Sequence, residues 1–436
     1  MDIRLSIVKL AHKILASRGR GGSFPGQLAL MMDKNFIRRF TMPEQVILVT
    51  GTNGKTTTSN LIAESLRKAG LTVLNNHRGD NLNVGIAALL ATGSDSSYHI
   101  QADAAVIEVD ELTVYRQFDA LKPTGLVVTN FFRDQLDRAG EMETIIRKIM
   151  EVTENFTGDL YLNGDDPNVL RIADHAKKAR IHLFSMAQLK DSMITTDEAS
   201  EGKFCPRCGK PLHYDYFQYS HIGRFLCPYD GFGKITPDIL VSDVSYKDQS
   251  FTAEGRVFHS YINAVYAIYN CAAVLCVMKN LGLDLSCADD VFRNYQLKEG
   301  RNETFALSQP CVINLFKNPT GANEVMKDIL SRPGEKNLCI VLNDNDQDGH
   351  DVSWIWDAHF ERLNDPEVRE IVCTGQRAYD MALRLKYEGL KDRIKVIEST
   401  EEAVHYLNTA NLNSYVMATY TALHSTRALL RKEAGK

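Results

Sequence analysis

The sequence predicts an α/β protein built as two successive parallel-sheet domains, the first interrupted by a small cysteine-rich insert. Three observations carry that expectation. Short apolar runs alternate with helical stretches from Gln45 to Glu154 and again from Val312 onward, and strands spaced by helices call for right-handed crossovers and a parallel sheet. Between Met186 and Ile235 the alternation breaks into a stretch rich in Cys, Tyr and Gly. The 436 residues are enough for about three domains of ~150 residues each.

Residues 1–40 are expected to form an N-terminal helical segment. Ile7, Leu10, Ala11 and Ile14 recur at helical spacing, with Arg4, Lys9, Lys13, Arg18 and Arg20 between and after them. Lysines interrupt the run too often for a signal-peptide core. Two readings stay open: an amphipathic helix packed on the body of the protein, or transient contact with an anionic membrane surface.

The first large domain is expected over residues 41–299, with the insert at about 200–236. Gln45–Val49 reads as a buried strand, and Thr56–Lys68 as the helix after it. Leu71–Leu74, Ala104–Ile107 and Leu126–Val128 repeat the strand pattern, Met142–Glu154 is helical, and helix resumes at Ile262–Lys279. Residues 300–436 are expected to form a smaller Rossmann-like α/β domain with strands at Leu338–Leu342, Glu370–Cys373 and Ile394–Val396.

Composition narrows the function classes. With 44% hydrophobic and 24% charged residues the chain is ordinary for a soluble globular protein. A net charge of −5 gives no basic field for nucleic acid, so phosphate chemistry must come from a local site. No segment approaches the ~18 apolar residues of a membrane span. Six of the nine cysteines (Cys271, Cys276, Cys287, Cys311, Cys339 and Cys373) stand singly, which suits reduced core thiols in a cytoplasmic protein.

The strongest chemical signal is a strand, the loop Thr50-Gly51-Thr52-Asn53-Gly54-Lys55-Thr56-Thr57, then a helix. Glycines let backbone N–H groups wrap phosphate oxygens, and the helix points its positive end at them. Lys55 suits the β- and γ-phosphates of ATP, and the Thr56 hydroxyl suits Mg²⁺. The general phosphate-loop pattern would place its first glycine at Val49, so this is a shortened form.

That shortened loop resembles the one used by the Mur ligase and folylpolyglutamate synthase superfamily. Glu108, ending Val106-Ile107-Glu108, stands where that superfamily keeps a Mg²⁺-binding glutamate. Thr129-Asn130-Phe131-Phe132-Arg133-Asp134-Gln135-Leu136-Asp137 looks like its T-N-x-x-x-D-H-x-D block, with Gln135 in place of the histidine. Asn163-Gly164-Asp165-Asp166-Pro167 is similar to N-A-D-D-P. Asn270 matches an adenine-contacting asparagine, and Gly300-Arg301-Asn302-Glu303 resembles the G-R-x-E that opens the last domain. The resemblance implies that a substrate carboxylate attacks the γ-phosphate of ATP, and a nitrogen nucleophile displaces phosphate from the resulting acyl phosphate. Such chemistry needs positioning and charge stabilisation, not a nucleophilic side chain.

In the insert, Cys205-Pro206-Arg207-Cys208-Gly209 and Cys227-Pro228-Tyr229-Asp230-Gly231 form two matching knuckles with 18 residues between them. This is zinc-ribbon spacing. Three thiolates and Asp230 are the first choice of ligands for a structural Zn²⁺, with His213 or His221 as substitutes for the fourth. A ribbon that has lost its metal is the alternative.

The stretch Asn318-Pro319 and the loop Leu342-Asn343-Asp344-Asn345-Asp346-Gln347-Asp348-Gly349-His350-Asp351-Val352-Ser353-Trp354, together with the ribbon, resemble the MurT family over nearly the whole chain. That family implies amidation of the α-carboxylate of D-glutamate in lipid II, with ammonia from a separate GatD-type glutaminase in a heterodimer, at the inner face of the membrane. It also implies that Asp351 reaches into the glutaminase and orients its catalytic histidine. Trp354 and Trp356, the only tryptophans, suit an interface beside that loop. Asp344, Asp346 and Asp348 mimic the start of a calcium loop, but Ile355 occupies the position that needs a bidentate Glu. Other readings are a Mur-type ligase adding an amino acid, a folylpolyglutamate synthase-like ligase, and a non-catalytic ribbon scaffold that uses nucleotide as a switch.

Overall fold

A computed structural model describes residues 2–16, 24–133, 142–196, 201–296 and 300–435. Arg18, Arg20, Asp134, Gln135 and Asp137 lie outside the described residues. The chain divides into two compact units, Met1–Phe131 with Glu143–Tyr295, and Phe132–Met142 with Gln296–Lys436.

The first unit opens with α1 (Ile3–Ala16) and α2 (Phe24–Met32), then alternates β1 (Gln45–Thr50), α3 (Lys55–Lys68), β2 (Val73–Asn75), α4 (Asn83–Gly93), β3 (Ala104–Glu108), α5 (Glu111–Leu121) and β4 (Gly125–Val128). β5 (Asp159–Asn163) and β6 (Arg180–Met186) follow, then the hairpin β7 (His213–Tyr219) and β8 (Ile222–Leu226), and finally β9 (Ile239–Ser245), β10 (Ser250–Ala253) and β11 (Arg256–His259). One nine-stranded sheet has the order β11-β10-β9-β6-β5-β4-β1-β3-β2. It is parallel from β2 to β9 and antiparallel only across β9, β10 and β11.

Every residue of β3 and β4 is buried, as is β1 after Gln45. Central parallel strands are covered on both faces, which is why they read as unbroken apolar runs. Because β1 is flanked by β3 on one side and β4 on the other, the loops leaving their carboxyl ends diverge there, the place where open α/β sheets bind ligands.

The second unit holds a six-stranded sheet, β12-β13-β17-β14-β15-β16, from β12 (Arg301–Ala306), β13 (Pro310–Leu315), β14 (Lys336–Val341), β15 (Val368–Thr374), β16 (Ile394–Val396) and β17 (Asn413–Ala418). Only β12 runs antiparallel. Met326, Ile329 and Met381 pack on one face of the sheet and Val404, Leu407 and Leu430 on the other, so helices cover both faces. The α/β architecture with a ribbon insert agrees with the expectation. The three-stranded antiparallel edge of the first sheet, residues 239–259, is not in the sequence reading.

Candidate active site

The phosphate-type loop leaves β1 at its buried end. Gly51 (φ +122°) and Gly54 (φ +82°) take backbone conformations that side chains rarely adopt. A Cβ on Gly51 would lie 2.3 Å from Thr129 Oγ1, and one on Gly54 would lie 2.5 Å from Asn270 Oδ1. The loop is therefore wedged between the end of β4 and the helix Val265–Asn280. Asn270 also donates to Tyr261 Oη at 2.9 Å.

A clamp that the sequence reading left unassigned fixes the loop. Asn130 accepts from Thr52 N through its carbonyl at 2.9 Å and from Asn53 N through Oδ1 at 2.9 Å. Thr129 Oγ1 donates to the Asn53 carbonyl at 2.8 Å. These bonds fix the shape of the loop from the end of β4. Thr52 N and Asn53 N both donate to Asn130, and the first turn of α3, Lys55-Thr56-Thr57, begins directly after the loop, where a helix favours an anion. Lys55 is buried. Its Nζ contacts the Gly51 carbonyl, the Thr52 carbonyl at 3.2 Å and Glu111 Oε1 at 2.9 Å. Glu111, at the start of α5, is a second residue the motif reading missed.

Glu108 ends β3 in register with Val49 and is almost wholly buried. Asn76 holds its backbone with two bonds of 2.8 Å, and Asn81 Nδ2 donates to its Oε1 at 2.8 Å. Among the described residues its Oε2 has no hydrogen-bond partner. A buried carboxylate oxygen without a donor is costly unless a cation faces it. A Cβ on Gly79 would lie 3.3 Å from both Glu108 Oε2 and Thr56 Oγ1, so the two oxygens border one small space left open by a glycine. A hard divalent cation fits this oxygen pair.

In the insert the two knuckles have the same construction. Gly209 and Gly231 have positive φ, and their N–H groups donate to the Cys205 and Cys227 carbonyls at 2.9 and 3.0 Å. Ligand atoms of Cys205, Cys208, Cys227 and Asp230 lie within 4.8 Å of one another, with Cys205 Sγ 3.2 Å from Asp230 Oδ2 and Cys208 Sγ 3.6 Å from Cys227 Sγ. All nine thiols are free. Neither proposed substitute joins the cluster: His213 sits 3.6 Å from Asp215 at the surface, and His221 is engaged elsewhere.

His221, in the turn of the ribbon hairpin, is fully buried with Nε2 3.3 Å from Asp166 Oδ1 and Nδ1 3.4 Å from Glu201 Oε2. Burial alone would lower its pKa, but the two carboxylates outweigh it and raise it to about 9. Asp166 in turn accepts from Phe131 N at 2.9 Å, next to the Asn130 clamp. Asp165 is fully buried, and burial raises it to about 6 despite donation from Ser185, Tyr269 and Met186 N.

Since the His221 pKa is raised from 6.5, its contribution to stability is complete below about pH 6.5 and disappears as pH rises through about 9. His221→Gln is expected to cost about 3 kcal/mol in that lower range. Thermal unfolding of both proteins on either side of the transition checks this, and a pH-independent difference would count against an imidazolium.

In the second unit, Arg301 lies on β12. Glu303 closes the turn before it, accepting from Gly300 N at 2.7 Å and pairing with Arg427 Nε at 2.6 Å. Asn318 caps the helix Pro319–Ser331, accepting from Gly321 N at 2.8 Å. The acidic loop after β14 is fastened internally: Asp344 pairs with Arg377 at 2.7 Å, and Asp348 is buried and accepts from Thr421 N at 2.8 Å. Asp351 is exposed. Its Oδ1 accepts from Ser353 N at 2.8 Å, and donation from Ser353 with nearby Arg133 holds its pKa below the usual carboxylate range. The paired-tryptophan reading needs correcting. Trp354 is a core residue, edge-on to Phe316 at 5.5 Å, and only Trp356 is exposed.

The family model of the Mur ligase middle domain matches residues 49–224, and that of the MurT ligase C-terminal domain matches residues 315–423. The chain is 32% identical to a lipid II isoglutaminyl synthase (glutamine-hydrolyzing) subunit MurT of Streptococcus pneumoniae, over 99% of this chain and 98% of that one. The chain belongs to the MurT family. A MurT subunit of Staphylococcus aureus is 34% identical over 88% of this chain and 86% of that one. The fold extends to a pseudomurein peptide ligase type C from Methanothermus fervidus, with a TM-score of 0.69 at 18% identity, covering 91% of this chain and 80% of that one. As a MurT family member the protein is a Mur-type, ATP-dependent ligase of peptidoglycan synthesis, and the relatives' designation as a subunit implies a partner chain.

Proposed function

We propose that the protein amidates the α-carboxylate of D-glutamate in the lipid II stem peptide, giving D-isoglutamine, with ammonia supplied by a GatD-type glutaminase subunit. The observation that carries this is the end-to-end likeness to subunits named lipid II isoglutaminyl synthase, in a chain whose Lys55, Thr56 and Glu108 all lie at the carboxyl ends of the central strands β1 and β3.

Each residue has a role in that reading. The first turn of α3, from Gly54 to Thr57, binds the ATP phosphates, with Gly51, Thr52 and Asn53 shaping the loop. Lys55 neutralises the γ-phosphate as the substrate carboxylate attacks phosphorus, ADP leaves, and an acyl phosphate forms; ammonia then adds to the carbonyl carbon and phosphate departs. Asn270 contacts the nucleotide beside Gly54, and Arg301 is assigned to nucleotide binding as well. Thr56 and Glu108 would hold Mg²⁺, which when bound draws charge from the phosphate oxygens. Asp351 reaches the glutaminase. Residues 1–40, 41–299 and 300–436 act as N-terminal, central and C-terminal segments. No described helix is long and apolar enough to cross a membrane, and the protein works from the cytoplasmic side of one.

Co-expression with a glutaminase partner and mass analysis of lipid II tests the proposal. Carboxylate-to-amide conversion that needs ATP, glutamine and both chains is expected. Addition of an amino acid instead would return the protein to the ordinary Mur ligases.

Cys205, Cys208, Cys227 and Asp230 hold a structural Zn²⁺ in this reading, about one per chain. Cys205→Ser is expected to lower both zinc content and melting temperature, because a structural metal contributes folding free energy directly. Asp230→Cys should retain zinc and Asp230→Ala should lose affinity. Metal analysis of chelator-free protein decides it, and absence of stoichiometric zinc removes the site.

A further inference from the structure

Helix α1 has two apolar faces, and among the described residues only one is packed. Leu5 and Val8 are buried, and α1 packs on α2 and α4. Ile3, Ile7, Leu10 and Ile14 are 72%, 41%, 59% and 45% exposed. At 3.6 residues per turn these four fall within an arc of roughly 60° on the side away from Leu5. The neighbouring α2 leaves Phe24 and Met31 exposed as well, seven residues apart and so on one of its faces. Such large apolar side chains on one helix face mark an interaction surface.

Charge says what covers it. The first 40 residues carry eight Lys or Arg against two Asp, although the chain as a whole has a net charge of −5. Lys13, Lys34, Arg38 and Arg39 are exposed. The positive charge of this protein is thus concentrated in the stretch of sequence that carries the apolar stripe, and the remainder is acidic. A helix pairing an exposed apolar stripe with basic neighbours lies in the interfacial plane of an anionic bilayer.

We infer that α1 is an in-plane membrane anchor that seats the protein on anionic phospholipid through Ile3, Ile7, Leu10 and Ile14. The rival occupant is a second copy, since the stripe also has coiled-coil spacing. Two turns of heptad fall short of the three to four that a coiled coil needs, and two such basic segments would repel. The use of the anchor rests on the lipid-linked substrate proposed above, but its geometry does not. An enzyme whose substrate headgroup is confined to a surface gains encounter rate by confining itself there.

The test uses the full chain and the Ile7→Glu/Leu10→Glu variant. Wild type is expected to co-sediment with phosphatidylglycerol-rich vesicles but not with phosphatidylcholine vesicles, and salt should weaken the binding. The variant should bind at least roughly tenfold less, with an unchanged circular dichroism spectrum. Should it fail to fold, Ile3→Ser/Ile14→Ser carries the same comparison. Equal sedimentation of wild type and variant, or none by either, overturns the inference. So does a wild-type dimer in ultracentrifugation that the variant dissolves while vesicles capture neither. If vesicles bind wild type alone yet no lipid II is amidated, the anchor stands and the proposed reaction falls.

Discussion

Lys55→Ala is expected to abolish ATP-dependent amidation while leaving the fold and partner binding intact. The ammonium sits inside the loop, within 3.2 Å of the Thr52 carbonyl and 2.9 Å of Glu111, where water is largely excluded. Charge developing on the transferred phosphoryl group is stabilised there by a preformed cation, an effect on the order of 3 kcal/mol or more, about a hundredfold in rate. Lys55→Arg keeps the charge but not its compact shape, and should recover little. Near-normal turnover by a folded Lys55→Ala protein would end the assignment of this loop to ATP.

Asp351→Asn is expected to separate two activities. Its carboxylate is exposed and ionised at neutral pH, held by Ser353 and by the field of Arg133. A carboxylate accepting an imidazole N–H fixes the tautomer and stabilises the imidazolium that forms, and an amide does neither. Glutamine-dependent amidation should therefore fall by about two orders of magnitude or more. Amidation driven by a high concentration of free ammonium should survive, since nothing in the ATP site changes. Loss of both activities would move Asp351 to the synthetase chemistry, and loss of neither would make it a surface residue.

The loop was legible because its constraints are local. Gly51 and Gly54 stand where the backbone is left-handed and neighbours approach within 3 Å, and such positions announce themselves by residue type. The knuckles were legible for the same reason. Strands β1, β3 and β4 were legible because burial on both faces removes polar residues. What escaped was set by tertiary contacts. Asn130 stood in the superfamily block without a role and Glu111 in none, and no spacing rule connects either to the loop it meets. The antiparallel edge at residues 239–259 mixes exposed and buried positions and has little apolar signal. Trp354 was misread because it follows a charged loop, whereas in space it packs edge-on against the core residue Phe316.

A chain of contacts from His221 through Asp166 to Phe131 joins the ribbon hairpin to the segment that clamps the phosphate loop. If ordering the ribbon hairpin through these contacts also orders the clamp, linkage runs equally in both directions. A metal at the knuckles and a nucleotide at the loop would then each slow the other's departure, although neither touches the other. Chelator stripping of zinc, timed with and without ATP, would register that reciprocity as a slower release, and equal rates would show the two sites to be independent.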